Sequence, residues 1–313
     1  MAKDTTGLIQ FELYDIHGRV EAVKEDTAVT IGVFDGVHLG HRELLSKLTE
    51  EASPLSPLAV TLTAHPSFVL GYRENECWLD DEEEHLRLLF AAGMKYVAVL
   101  PFNAEVAAMT ACQTAHWMYD ELRMRKLMLG YDSRFGSRKN DDFGKLPMLA
   151  EELGFHYMHG EPLTVAGEPV SSSRIRATLA DGHVEETATL LGRSYTLKGR
   201  VMHGRGVGHT IGFPTANIDF SDTRKMLPKD GVYAVDVRIE GGARFSGMAN
   251  MGGIPTYGIE KPTLEVHLKD FDGDLYGKSV EVSFQRRIRD ILRFDTPEEL
   301  AEQLRKDLSV CES

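Results

Sequence analysis

Thr30-Ile31-Gly32-Val33-Phe34-Asp35-Gly36-Val37-His38-Leu39-Gly40-His41 decides how the first half of this 313-residue chain is read. Residues 29–34 are a short apolar run rich in β-branched side chains, the pattern of a buried strand. The run stops at the turn pair Asp35-Gly36. From His41 onward, Leu44, Leu45 and Leu48 recur at helical spacing, which places a helix start at or near His41. Gly32, Gly36 and Gly40 remove side chains where a ligand would approach the backbone. A strand, a glycine-containing turn and a helix N-terminus together build an anion site, because N–H groups and the helix dipole point at the turn. His38 and His41 stand at that junction. The plainer alternative is a strand-turn-helix with two incidental histidines. A zinc site would need further ligands close in sequence, and a Walker A loop would need Gly-Lys-Ser/Thr; neither is present.

Outward from this stretch the pattern alternates. Strands are expected over residues 7–13, 58–63, 95–100 and 126–130, and helices over 80–92 and 113–125. Strands alternating with helices indicate a parallel sheet covered on both faces, with ligands at the carboxyl ends of the strands. The signature turn lies at one such end and Tyr131-Asp132 at another. The loop over 130–136 reads either as polar surface or, with Arg134, Arg138 and Lys139, as a phosphate contact. Ser171-Ser172-Ser173-Arg174-Ile175-Arg176 opens a further helix. Serines there are usual caps, but two arginines in the same turn add guanidinium forks that converge with hydroxyls and N–H groups on an anion. Asp181-Gly182 ends that helix, and another is expected over 183–191.

Beyond Gly192 strand follows strand. Residues 195–203, 231–239, 243–251, 264–271 and 278–284 read as strands joined by glycine-containing turns, and a helix over 297–308 closes the chain. The expected fold is therefore an α/β domain over residues 1–190 and an all-β barrel with a terminal helix over 191–313. The second half has its own dense motif, from Gly204 to Asn217. Gly204, Gly206, Gly208 and Gly212 give a backbone able to wrap phosphates. The pattern is not Gly-x-Gly-x-x-Gly and follows no Rossmann strand, so it implies no dinucleotide fold. Thr215 and Asn217 offer neutral oxygens suited to Mg²⁺ that also takes phosphate oxygens and water. In Leu264-Glu265-Val266-His267-Leu268, Glu265 and His267 share a strand face. If that face points into the barrel, Glu265 could act as a general base on a hydroxyl; otherwise the pair is a solvent-facing feature of a half-exposed strand.

Composition narrows the classes. A net charge of −13 argues against a nucleic-acid or anionic-membrane partner. Cys77, Cys112 and Cys311 are too few and too scattered for a disulfide framework, and the start of the chain has no basic-then-apolar leader. No apolar run reaches membrane-spanning length, so a cytoplasmic protein is expected.

The pattern Gly-x-Phe-Asp-x-x-His-x-Gly-His over 32–41 resembles the signature of the nucleotidyltransferase superfamily. In that superfamily the two histidines contact the triphosphate and stabilise charge as pyrophosphate leaves. Taken end to end, the chain resembles the family of bacterial bifunctional riboflavin kinase/FMN adenylyltransferases, or FAD synthetases. The resemblance rests on 32–41, 130–136, 171–176, Gly212-Phe213-Pro214-Thr215-Ala216-Asn217, and Leu264 to Leu268 followed by Asp270-Phe271-Asp272-Gly273-Asp274-Leu275-Tyr276-Gly277. It implies a Rossmann-like nucleotidyltransferase domain, then a riboflavin-kinase β-barrel with a terminal helix. It implies two consecutive reactions, riboflavin to FMN and FMN to FAD, with ATP in both and Mg²⁺ as the metal. By position, Glu265 would deprotonate riboflavin, with Thr215 and Asn217 on Mg²⁺ and ATP. Gly204, Gly208, Gly212 and Pro214 would line the ATP phosphates in the barrel. His38 and His41 would be catalytic in the first half, with Gly32, Phe34, Gly40, Ser172, Ser173 and Arg176 around the triphosphate. Asp132 and Arg134 would contact flavin or nucleotide. ATP, riboflavin, FMN and FAD are the expected ligands.

Some positions depart from the family pattern. Thr63 stands for an acidic residue, Ser173 for threonine, Ser133 for phenylalanine, and His209 and Ile254 for arginines. Two other readings follow from those departures: a riboflavin kinase whose first half only binds flavin nucleotides, and a first half that transfers its nucleotide to another acceptor.

Overall fold

The computed structural model describes residues 9–63, 77–131, 133, 135–137, 142–203, 212–221, 223–253 and 262–311. By internal contacts the chain forms two units, Met1–Ser171 and Ser172–Ser313. In the first, strand β3 (Thr27–Ile31) is buried along its whole length. It has parallel partners on both sides, β4 (Ser56–Leu62) and β6 (Met124–Leu129). The full sheet adds β1 (Glu12–Asp15), β2 (Gly18–Val20), β5 (Tyr96–Leu100) and β7 (His156–His159) in the order β2-β1-β5-β4-β3-β6-β7. Strands β5, β4, β3, β6 and β7 are parallel, and the winding reverses between β3 and β6. That reversal opens a crevice at the carboxyl end of β3, where the signature turn begins.

The sheet's side chains alternate between two cores. On one face Ala28, Ala59, Val97, Val99 and Met128 pack with Leu44, Leu45 and Leu48 of α1 (Leu39–Glu50) and Leu89 of α2 (Glu82–Ala91). On the other, Val29, Ile31, Leu58, Val60, Leu127 and Leu129 pack with helices that follow the short α3 (Ala104–Ala108). These are α4 (Ala111–Glu121) and α5 (Leu146–Leu153). The expected parallel sheet thus has helices on both faces. It also has an antiparallel edge: β1 pairs with β2 and β5 in antiparallel register, and of the expected leading strand over 7–13 the described residues 9–11 precede β1, while 7 and 8 lie outside the described residues. A small hairpin, β8 (Thr164–Val165) and β9 (Glu168–Pro169), precedes the second unit.

The second unit opens with α6 (Ser172–Asp181) and α7 (Val184–Leu191). Its barrel closes in the order β10-β11-β14-β13-β12-β15, which leaves no sheet edge. The strands are β10 (Tyr195–Met202), β11 (Ala216–Asp219), β12 (Gly231–Ile239), β13 (Arg244–Gly253), β14 (Pro262–Leu268) and β15 (Ser279–Arg289). Cross-strand rows such as Tyr195, Phe284 and Val235, or Leu197, Val282 and Val237, fill the interior. Helix α7 packs on β10 and β15, and the Lys229 N–H donates to the Leu179 carbonyl of α6. These two helices therefore group with the barrel, although the pattern of the sequence changes only near residue 191.

Helix α8 (Pro297–Val310) starts with Thr296 as its cap and lays Ala301, Leu304 and Leu308 against Phe213 and Met248. Behind it Asp307 is buried and accepts from Arg289 Nε at 3.0 Å and Nη2 at 2.6 Å, and from Gln303 Nε2 at 2.8 Å. Truncation would leave the Arg289 charge uncompensated. Asp307→Ala is expected to destabilise this unit by about 3–5 kcal/mol, seen as an earlier urea transition; an unchanged midpoint would deny the clamp its role.

Candidate functional site

The signature turn is built by strain and caps. Helix α1 begins at Leu39, near the His41 that marked the expected start, with His38 as its N-cap. The His38 Nδ1 accepts from the His41 N–H at 3.2 Å, which puts the ring proton on Nε2. The two imidazoles stack, with centroids 3.6 Å apart and planes 16° apart, and Phe34 meets His41 edge-on at 5.3 Å. A Cβ on Gly40 would sit 3.2 Å from both the His38 ring and the Val170 carbonyl oxygen, so any side chain there would press on the stack. Phe34 and Val37 have φ of 50° and 35°, left-handed values that cost side chains like these on the order of 1–3 kcal/mol each.

Burial, then the neighbouring His38 and His85, hold the His41 imidazole well below its ordinary pKa. The His41 Nδ1 is buried with no hydrogen-bond partner among the described residues. A stacked pair of neutral rings at a helix N-terminus, one with an unsatisfied buried nitrogen, suits an anionic ligand that brings its own acceptors. Asp35 lies buried behind the turn and accepts from the Leu79 N–H at 2.7 Å. Gly32, Phe34, His38, Gly40 and His41 are thus gathered at the carboxyl end of β3. Ser133 bends the chain after β6 through its N–H to the Gly130 carbonyl at 3.1 Å. Thr63 is exposed just past β4. Asp132 and Arg134 lie outside the described residues, as do Arg138 and Lys139.

In the second unit Ser172 and Ser173 open α6, and Arg176 follows about one turn after Ser172. Arg174 turns to Glu186 of α7, with Nη2 to Oε1 at 3.0 Å, so one of the two guanidinium groups is engaged in joining helices.

The barrel motif runs through Gly212, left-handed at φ 80°, and Pro214 into β11. Gly204 and Gly208 lie outside the described residues, as do His209 and Ile254. Strand β14 decides between the two orientations left open for Glu265 and His267. Leu264, Val266 and Leu268 are the buried set, so Glu265 and His267 lie on the face away from the barrel interior, half-buried rather than sealed inside. The reason is the alternation itself: the apolar set takes the interior and the polar set the other face. On that face Glu265 stands in register with Asn217 of β11 and Asn250 of β13. Such cross-strand neighbours are within about 4.5–5.5 Å at Cβ. His267 donates from Nδ1 to the Pro214 carbonyl at 2.8 Å, tying the loop before Thr215 to the strand of Glu265. Glu265, Asn217 and the entry of Thr215 are therefore brought together, and Asn250 joins them. Sequence reading passed over Asn250, a lone polar side chain in a strand. Its signal was its place in the alternation of Ala249-Asn250-Met251.

No cluster of three or more His, Cys, Asp or Glu side chains able to hold a metal occurs among the described residues. The Thr215, Asn217 and Glu265 set instead suits Mg²⁺, which takes few protein oxygens and completes its shell with phosphate and water.

A family profile described as riboflavin kinase matches residues 191–313, and one described as FAD synthetase matches residues 20–174. The bifunctional riboflavin kinase/FMN adenylyltransferase of Escherichia coli (strain K12) is 36% identical over 295 residues, covering 93% of this chain and 94% of that one. Its counterparts in Haemophilus influenzae and Bacillus subtilis are 35% and 32% identical, each alignment covering 93% of this chain and, respectively, 95% and 93% of the other. A crystal structure described as a macrolide-efflux protein from Streptococcus pneumoniae superposes with a TM-score of 0.84 at 30% identity, over 93% of this chain and 95% of that one. Among the described residues here no helix is long and apolar enough to cross a membrane.

Proposed function

This chain belongs to the family of bifunctional riboflavin kinase/FMN adenylyltransferases, and from that premise we propose how its own residues divide the two reactions. It phosphorylates riboflavin to FMN with ATP and adenylylates FMN with ATP, giving FAD and pyrophosphate. The observation that carries the division is the pair of separate constellations, stacked histidines after β3 and Glu265 with Asn217 on adjacent barrel strands. We assign adenylyl transfer to residues 1–190 and phosphoryl transfer to 191–313.

In the barrel, Glu265 takes the proton of the riboflavin 5′-hydroxyl as that oxygen attacks the γ-phosphorus, and ADP leaves. Thr215 and Asn217 would hold the Mg²⁺ and ATP phosphates. The metal, when bound, neutralises phosphate charge. The loop through Gly204, Gly208, Gly212 and Pro214 supplies backbone to the phosphates, and His267 fixes the Pro214 carbonyl. In the first unit, a phosphate oxygen of FMN attacks the α-phosphorus of ATP. His38 and His41 donate to the triphosphate as charge gathers on pyrophosphate. Gly32, Phe34 and Gly40 shape the approach. Phosphate binding is also the proposed role of Ser172, Ser173 and Arg176, on the chemistry of hydroxyls and a guanidinium at a helix start. Asp132 and Arg134 are proposed to contact flavin or nucleotide. No side chain need act as a nucleophile, because both acceptors are substrate oxygens. The proposed place of action is the cytoplasm, which the absence of any disulfide among the three cysteines supports.

Purified protein with ATP and Mg²⁺ is expected to turn riboflavin into FMN and FAD, and FMN into FAD, by chromatographic separation of the flavins. FMN accumulating from riboflavin with no FAD from either start would overturn the assignment of the first unit. No conversion at all would overturn both.

A further inference from the structure

The turn that carries His38 is clamped from behind at both ends. On one side the Thr61 hydroxyl of β4 donates to the Val33 carbonyl at 3.2 Å. On the other the Gly36 N–H donates to Asp80 Oδ2 at 3.1 Å. Between Thr61 and Asp80 sits the buried ring of His85 on α2, with Nε2 2.9 Å from Thr61 Oγ1 and Nδ1 3.0 Å from Asp80 Oδ2. These contacts form a continuous path: Val33 carbonyl, Thr61, His85, Asp80, Gly36 N–H. We propose that Thr61, His85 and Asp80 are positioning residues for adenylyl transfer, holding the backbone from Val33 to Gly36 in the geometry that presents His38 and His41. The proposal rests on the assignment of that turn to FAD formation.

Proton counting fixes the state of the relay. Thr61 has one hydroxyl proton, and it is given to Val33, so His85 Nε2 must donate to the hydroxyl oxygen. Asp80 Oδ2 already accepts from Gly36, and an ionised carboxylate only accepts, so His85 Nδ1 also donates. The ring is therefore an imidazolium paired with a carboxylate. Burial pulls its pKa down, but the charge and hydrogen bond of Asp80, with the charges of Asp35 and Glu84 behind them, outweigh this and hold it above the ordinary value. Across the turn the same charge helps to hold the facing His41 neutral.

A merely structural network could end anywhere in the core. This one ends at both sides on the catalytic turn, whose Phe34 and Val37 occupy left-handed φ and need support from outside the local backbone. Deprotonating His85 removes one donor, so the relay breaks at its bond to either Thr61 or Asp80. A group with a raised pKa gives its support fully below the ordinary imidazole pKa and loses it as pH rises through the folded value.

The chain supplies its own control, because riboflavin phosphorylation uses a different unit. His85→Gln, Asp80→Asn and Thr61→Val are expected to lower kcat for FMN to FAD by roughly 10–100-fold, with KM for FMN and riboflavin phosphorylation each changed by less than about twofold. Thr61→Ser keeps the hydroxyl and should keep the rate. Wild-type kcat should fall on the alkaline side, and His85→Gln should lose that limb. Full FAD synthesis in His85→Gln and Thr61→Val, or one shared pH profile for wild type and His85→Gln, overturns the proposal. Should His85→Gln not fold, equal rates in Thr61→Ser and Thr61→Val overturn it, and a loss confined to Thr61→Val upholds it. A wild type that makes FMN but no FAD overturns the assignment of the turn and the proposal with it, an outcome distinct from active wild type with unaffected variants.

Discussion

Glu265→Gln is expected to lower kcat for riboflavin phosphorylation by about 10²–10⁴-fold while the same protein still converts FMN to FAD. The substitution is chosen for what it preserves. Glutamine matches the shape of glutamate, keeps the β14 alternation and keeps a polar side chain in register with Asn217 and Asn250. It cannot take the proton of the 5′-hydroxyl. If Glu265 serves only to pair across strands, glutamine does that equally well and the rate stays within about tenfold, since one exchanged hydrogen bond is worth only about 0.5–1.5 kcal/mol. Phosphorylation and adenylylation measured on one preparation separate chemistry from unfolding. Retained FAD formation with lost FMN formation marks Glu265 as the base, and retention of both would remove it from the site.

The position of Glu265 also shows how far the sequence reaches. Alternation put Glu265 and His267 on one face, and the apolar Leu264, Val266 and Leu268 decide that this face is the outer one. The signature stretch was legible because a buried strand and an amphipathic helix each leave a strong period, and a dense motif lies between them. Its helix start, read as at or near His41, falls at Leu39 behind the cap His38, a residue outside the usual Ser, Thr, Asp and Asn set. Strand β7, His156 to His159, escaped because no residue in it is fully buried, so it leaves no apolar run. Strand β11 was hidden inside the glycine-rich motif. What local pattern cannot supply at all is pairing between distant elements. Arg174 and Glu186 belong to successive helices, and Thr61 and His85 lie on a strand and a helix, 24 residues apart in sequence. Each side chain reads as ordinary alone, and only the packing of α2 against β4 joins Thr61 to Asp80.

His41→Asn and His38→Asn are expected to lower FAD formation by about 10²–10³-fold, the scale of removing one donor aimed at developing charge, with FMN formation from riboflavin unaffected. The two positions are separable. His38 has a second task as the cap of α1, and alanine there would add a stability loss of about 0.5–2 kcal/mol. Asparagine is a good cap, so His38→Asn keeps the helix start and removes only the imidazole donor. A melting point near wild type with a lost rate assigns the defect to chemistry. His41 has no capping task, and its ring is held neutral by burial and by His38 and His85. A neutral ring can donate from one nitrogen only, so it has one proton to offer a phosphate oxygen without first being charged. A buried histidine whose pKa is lowered weakens the fold as pH falls below the ordinary imidazole value, and does not change charge above it. The acid side of the stability profile should therefore improve in His41→Asn, while its alkaline side stays as in wild type. An asparagine variant at either position that makes FAD at the wild-type rate would reduce that ring to packing and move the triphosphate site elsewhere.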